Sequence, residues 1–429
     1  MRILMLAQFY PPTIGGEERH VHDLSVELAE RGHDVALATL WHEGVPEFEI
    51  DQGVRIHRIR GSMQRIAMLF SEKGRQHSPP FPDPEVLWSL QRIIKNERPD
   101  IVHAHNWMVH SFTPLKTWSK AKLVVTLHDC SLVCAQKRFM YHEEVCSGPA
   151  MKKCLECASE HYGVAKGVPT ALANWTRQKV ERQAVDMFLP VSQSMADASQ
   201  LDKHKTPYRV IPNFVPNDVG ALHSDTDPLL EQLPKGDYLL FVGDVRRDKG
   251  VEVLFQAYAG MKTEIPLVLI GRPVNDFATE IPPNVRILQS WPHDAIMSAW
   301  SRCTIALTPS IWLEAFGIVA LEAMAVGRPI VASRIGGLPD IVVDGETGLL
   351  VTPGDPQALR EAIQRLLADP ELRDRMGVIA KQRVVEFQAQ TVVPRIEQVY
   401  QELLQASGTL PPKGNRLAVG EASVHSLHS

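Results

Sequence analysis

Hydrophobic positions along the chain fall into short runs separated by longer amphipathic stretches. Ile3–Phe9 is a nearly unbroken apolar run, the pattern of a strand buried on both faces. After Pro11-Pro12-Thr13-Ile14-Gly15-Gly16 the period changes. Val21, Leu24 and Leu28 share one helical face, and the pattern stops at Arg31-Gly32-His33, where Gly32 suits a helix C-terminus. Val35–Leu40, residues 54–60, Ile101–Ala104 and Leu123–Leu127 predict further strands, and Trp88–Ile94 is part of a helix. A polar stretch, 216–236, reads as a connection. A second series then begins: Tyr238–Val242, a helix over 250–261, Leu267–Ile270, Val285–Leu288, a helix over 293–300, Ile305–Leu307, a helix from Ile318, and Ile330–Ala332. Residues 356–368 and 370–406 are helical in pattern. This alternation predicts an α/β protein of two doubly wound, Rossmann-like domains whose strand C-terminal ends face a central cleft.

The expected boundaries are residues 1–213 for the first domain and 214–385 for the second. Residues 386–406 form a helix crossing back to the first domain, and 407–429, rich in Gly, Pro and Ser, form a disordered tail. The 429 residues, 44% hydrophobic and 22% charged, supply two large cores and exclude a disulfide-stapled miniprotein. A net charge of −5 lacks the basic excess of a nucleic-acid partner. The first apolar run is too short for a signal peptide, and no run reaches the ~18 residues of a membrane helix, so a cytoplasmic location is expected. One local exception is basic: residues 55–75 hold six Lys/Arg and one acid around Ile66-Ala67-Met68-Leu69-Phe70. It reads as a solvated helix with one buried face, as an acceptor-binding segment, or as a peripheral contact with the inner membrane face.

The most informative stretch is Thr308–Pro329. A strand ends, a loop carries Glu314, and a helix begins near Gly317. Free N–H groups and the dipole at such a helix start make an anion site. Glu322 lies one turn beyond Ile318 on the same face, where a carboxylate suits the two hydroxyls of a ribose. Eight helical residues would separate Glu314 and Glu322 by ~12 Å. That exceeds the ~5–9.5 Å of a glycosidase acid/base pair, so roles on different parts of one nucleotide sugar fit better.

With these glutamates the chain resembles the nucleotide-sugar-dependent retaining glycosyltransferases of family 4, which have the GT-B fold and an E-x7-E motif. The resemblance spans about residues 2–406. It includes Phe9-Tyr10-Pro11-Pro12 with Gly15-Gly16, Arg31-Gly32-His33, Asp100–His105, Thr126-Leu127-His128-Asp129, Val210-Ile211-Pro212-Asn213, Gly336–Asp340 and Asp344–Leu350. It implies that Glu314 contacts the donor sugar and Glu322 the ribose. The backbone from Phe316 through Gly317, Ile318 and Val319 would hold the distal diphosphate and sugar. Gly15 and Gly16 would approach from the other domain, His128 would sit by the reacting sugar, and Lys249, after Gly243, would pair with the diphosphate. Base contacts are expected near Gly271-Arg272 and Ser290-Trp291. No metal is needed for catalysis. The expected partners are a UDP- or GDP-linked sugar and an acceptor hydroxyl or amine on a glycan, a lipid-linked sugar or a small natural product. A nucleotide-sugar epimerase and a non-catalytic sugar-nucleotide-binding subunit are the alternatives.

One position departs from the family pattern. Many relatives carry arginine directly after the glycine at 243; here it is Asp244. Arg246 or Arg247 would then supply the guanidinium, unless both are solvated loop charges. Five of the six cysteines lie between Cys130 and Cys157, which points to one local site. Cys134, Cys146, Cys154 and Cys157 have a spacing that suits tetrahedral zinc or, less well, an iron–sulfur cluster. Some relatives carry a similar insertion. Reduced buried thiols and a redox or disulfide role are the other readings.

Overall fold

The computed structural model describes residues 1–12, 15–65, 78–142, 144–221, 227–274, 280–406 and 408. In chain order the strands are β1 (Arg2–Leu6), β2 (Asp34–Leu40), β3 (Phe48–Asp51), β4 (Val54–Ile59), β5 (Ile101–Ala104), β6 (Lys122–Leu127), β7 (Met140–Tyr141), β8 (Glu144–Val145), β9 (Met187–Pro190), β10 (Leu239–Val242), β11 (Leu267–Ile270), β12 (Val285–Leu288), β13 (Ile305–Thr308), β14 (Ile330–Ser333) and β15 (Gly348–Val351). One sheet has the order β3-β4-β2-β1-β5-β6-β9 and the other β12-β11-β10-β13-β14-β15. All pairings are parallel except β3 with β4, and β7 with β8 in a separate hairpin. The central strands are apolar because helices cover both faces; Ile3 to Leu6, Val102 and Leu239 to Phe241 are all buried.

Parallel pairing brings every strand's carboxyl end to the same edge of its sheet. That edge carries His105 after β5, His128 after β6, Gly243 after β10, Gly271 after β11 and the Glu314 loop after β13. The sheets share one apolar cluster, in which Phe188, Val191 and Met195 join Leu338, Ile341 and Phe387. The helix Ala389–Ala406 packs on the first sheet's side: Val392, Val393, Ile396 and Val399 belong to the same cluster as Ile3, Met5 and Val21. His33 Nε2 lies 2.7 Å from Glu397 Oε1 at its edge.

Several elements differ from the sequence-based expectation. β1 stops at Leu6 rather than Phe9, although Ala7 N still donates to Ala38 O at 3.1 Å. The single helical pattern over 370–406 is two helices, Pro370–Arg383 and Ala389–Ala406, separated by a 3₁₀ turn at Val384–Phe387. There Val215 N donates to Phe387 O and Ala389 N to Val215 O. The polar connection contains short turns at Val219–Ala221 and Pro228–Gln232. The basic segment's described part is held by protein carboxylates: Arg55 by Glu97 and Asp34, and the buried Arg58 by Glu49. Residues 66–75 of that segment and nearly all of the expected tail lie outside the described residues. No described helix is long and apolar enough to cross a membrane.

Beneath the final helix lies a histidine cluster. His103 Nδ1 is 2.6 Å from the Tyr400 hydroxyl, and its Nε2 is 2.7 Å from Thr126 Oγ1. His105 Nδ1 meets His128 Nε2 at 3.0 Å, and the His20 ring stands 5.0 Å from that of His128. Burial lowers all four, His103 and His128 to about 3 and His20 and His105 well below the usual value. Unfolded histidines protonate near ~6.5. Below that pH the unfolded chain binds protons the folded one refuses, so this contribution is full above it and lost as pH falls toward the folded values. Glu17 and Glu181, raised by burial to about 8, act in the opposite direction. Replacing His103 by Asn is expected to flatten the decline in unfolding free energy below about pH 6.5, by up to about 1.4 kcal/mol per pH unit. Denaturant titrations of both proteins across that range measure the difference; equal slopes would contradict the assignment.

Candidate active site

The two sheets meet along the edge where their strands end. Gly317, with φ 109°, caps the helix Ile318–Ala325, whose first N–H groups have no helical partner. Across from it, Gly15 caps the helix Gly16–Glu30, and a Cβ on Gly16 would lie 3.8 Å from Ile318 Cδ1. Sequence positions 16 and 318 therefore face each other as cleft walls. Ser194 Oγ donates to Gly336 O at 2.8 Å on the same boundary.

Glu314 is held from several sides. Lys249 Nζ lies 2.9 and 3.1 Å from its two oxygens, Trp312 Nε1 donates at 2.6 Å and Ser310 Oγ at 3.1 Å. Burial pushes this carboxyl up, but the Lys249 charge and these hydrogen bonds outweigh it and hold it below the usual range. The loop's backbone is fixed as well. Gly337 N donates to Glu314 O at 2.8 Å, and Gly336, with φ +60°, passes so close that a Cβ there would stand 2.0 Å from that oxygen. Only glycine fits both constraints.

Glu322 is 3% exposed. Its Oε1 accepts from Arg19 Nη1 at 2.7 Å and lies 2.9 Å from His293 Nε2. Burial raises the carboxyl, and the His293 hydrogen bond, the His293 charge and Arg19 more than offset it, leaving it lowered. Arg19 comes from the first sheet's side, so a residue from each half holds this carboxylate. Neither Arg19 nor His293 was singled out from sequence. The available signal was that a glutamate on a mostly apolar helix, once buried, requires a cation.

The turn after β10 separates the two candidate arginines. Arg246 Nε lies 2.8 Å from Asp248 Oδ1 and is 16% exposed, whereas Arg247, 44% exposed, faces Glu252 at 3.3 Å on the helix that follows. Arg246 is thus the more buried of the two, and Arg247 the more solvated. Asp244 faces Arg272 at 3.6 Å on the rim, both groups well exposed. Asp248 also meets Arg138 Nη1 at 3.6 Å, an arginine from the cysteine-bearing excursion of the first sheet. Its backbone carbonyl accepts from Ile311 N and Trp312 N, tying the Lys249 turn to the Glu314 loop. Gly243 and Gly271 pack together at adjacent strand ends; Gly243 N donates to Ile270 O at 3.0 Å and Gly271 N to Leu288 O at 2.9 Å. Phe316 is buried beneath the Glu314 loop, its ring 5.9 Å from that of Phe387. His128 lies at the end of β6 as expected, with its Nε2 engaged by His105.

The four grouped cysteines, all reduced, line a single cavity. No three of their sulfurs lie within 4.8 Å of one another. Among the described residues the trio of potential ligands that does converge is His142, Glu156 and Glu160, on the exposed surface.

Two family models match the chain. "Glycosyltransferase Family 4" covers residues 14–219, and "Glycosyl transferases group 1" covers residues 230–383. A glycogen synthase of Mycobacterium tuberculosis is 28% identical over 436 aligned residues, covering 93% of this chain and 94% of that protein. Among solved structures, sucrose-phosphate synthase from Thermosynechococcus elongatus superposes with a TM-score of 0.71 at 22% identity, covering 94% of this chain and 99% of that one. Anabaena HepE in complex with UDP and glucose gives 0.67 at 18% identity, covering 94% and 100%. With the two models covering nearly all of both sheets, the chain belongs to the family 4 glycosyltransferases, enzymes of the GT-B fold.

Proposed function

We propose that this enzyme transfers a sugar from a UDP- or GDP-linked donor to an acceptor hydroxyl or amine with retention of anomeric configuration. The observation that carries this reading is the buried Glu314–Lys249 pair beside a free helix start at the strand ends of the second sheet. The UDP complex of Anabaena HepE supports a nucleoside diphosphate as the leaving group.

In this reading the diphosphate lies against the backbone N–H groups of Ile318 and Val319. Lys249 and Arg246 supply positive charge where the departing phosphate becomes more negative. Glu314 accepts hydrogen bonds from the donor sugar's hydroxyls. Glu322 takes the ribose, with Arg19 and His293 orienting it. His128, kept neutral by burial, is a hydrogen-bonding neighbour of the reacting sugar and not an acid at neutral pH. The bond from the anomeric carbon to phosphate breaks as the bond to the acceptor forms on the same face. The acceptor's proton passes to the departing phosphate oxygen, so no protein base is required. Closure of Gly16 against Ile318 excludes water while the anomeric carbon carries positive charge in the transition state.

The deciding experiment is a panel of UDP- and GDP-sugars scored by donor hydrolysis, then by transfer. Glu314→Ala and Lys249→Ala are each expected to lower turnover about 100-fold or more. Unchanged rates in both variants would refute the assignment, and an inverted product anomer by NMR would refute retention. Glu322→Gln is expected to weaken nucleoside diphosphate binding roughly tenfold, about 1.4 kcal/mol, as read by calorimetry. An unaltered affinity would remove Glu322 from the ribose.

A further inference from the structure

Between β6 and β9 the chain leaves the sheet on an excursion that the transfer reaction does not use. Its two helices, Met151–Tyr162 and Val164–Ala184, touch backbone to backbone: a Cβ at Gly167 would stand 2.2 Å from Ala158 O. The separate core they enclose consists of Ala135, Ala158 and Ala171, flanked by Leu155 and Tyr162. Burial of three alanines yields little hydrophobic free energy, and units with so small a core are usually fastened by disulfides or a metal.

Cys134 opens a tight turn, Cys146 follows the β7–β8 hairpin, and Cys154 and Cys157 lie three residues apart on one helix face. These side chains from three elements line one cavity, whose other walls include Val133, Phe139, Pro149 and Ala158. The two remaining cysteines, Cys130 and Cys303, sit elsewhere, in the main core. Gln136 Nε2 donates to Cys157 Sγ at 2.9 Å. A neutral thiol is a weak acceptor with little use for such a donor, whereas a metal-bound thiolate is oriented by one.

We propose that Cys134, Cys146, Cys154 and Cys157 bind one structural zinc ion. Four Zn–S bonds form, the thiol protons pass to solvent, and no oxidation state changes. Lys153, which also lines the cavity, offsets part of the negative charge. Sulfurs about 2.3 Å from the ion stand about 3.8 Å apart. The present sulfurs are more widely spread, so binding draws them inward. Two contacts mark the rotamers that turn: Cys146 Sγ donates to Gly148 O and Cys157 Sγ to Met140 O, each at 3.5 Å. A deprotonated sulfur gives up both.

The test is elemental analysis of the full chain purified without chelator, followed by substitution with cobalt. About one zinc ion per chain is expected, with the thiolate-to-metal absorption of a tetrahedral sulfur site after cobalt exchange. The Cys154→Ser/Cys157→Ser double variant should lose the ion, while Cys303→Ser and Glu160→Gln keep it. The cobalt spectrum of the wild type stands even if the double variant fails to fold. Wild-type protein that takes up neither zinc nor cobalt overturns the proposal. So does a disulfide among the four thiols, iron with sulfide in place of zinc, or an ion lost with Glu160→Gln and retained without the cysteines. Each readout is independent of sugar transfer, so the two proposals stand or fall separately.

Discussion

A carboxylate that stays ionised out of water must be met by a cation, and two such carboxylates organise this molecule. Glu314 finds Lys249 within its own half, which ties the turn after β10 to the loop after β13. Glu322 finds Arg19 only across the boundary between the sheets. Its burial is therefore a condition on how the halves sit together. If they separated, Arg19 would withdraw and leave Glu322 to His293 alone. Gly336 is subordinate to this arrangement, because it lets one backbone segment pass beside the Glu314 carbonyl where a Cβ would clash.

The strands were legible in the sequence wherever burial on both faces makes the apolar run continuous. Ile101–Ala104 and Leu267–Ile270 were located to the residue for that reason. Val164–Ala184 was not seen as a helix, since it buries Gly167, Ala171, Asn174 and Glu181 and so lacks an apolar stripe. The break at Val384–Phe387 was hidden because its apolar residues continue the helical rhythm while the backbone turns to pair with Val215. Within the site, residues with a required chemistry beside a glycine turn stood out: Glu314, Gly317 and Glu322. Arg19 and His293, the partners of Glu322, did not, nor did Arg138, which meets Asp248, because an arginine or histidine on a helix or turn has no local mark of what it will face.

The histidine cluster carries the same logic into neutral chemistry. His103 joins three elements, β5, β6 and the final helix, through two short hydrogen bonds to hydroxyls, and burial keeps it neutral. These bonds fix Tyr400 against the sheet, and with it the helix that returns from the far end of the chain. The neighbouring contact of His105 with His128 extends this dry, uncharged region to the edge of the cleft.

Arg138 stands between two residues with left-handed backbone, Lys137 and Phe139, in a turn that is itself part of the cysteine cavity. Its contact with Asp248 joins that turn to the backbone holding both Lys249 and the Glu314 loop. Whatever orders the excursion then shares a free energy with whatever occupies the second sheet's edge. By reciprocity, a ligand that steadies the Lys249 turn steadies the excursion by the same amount. A segment remote from the chemistry in sequence becomes a gauge of its occupancy, and its rate of amide exchange would report a ligand it never touches.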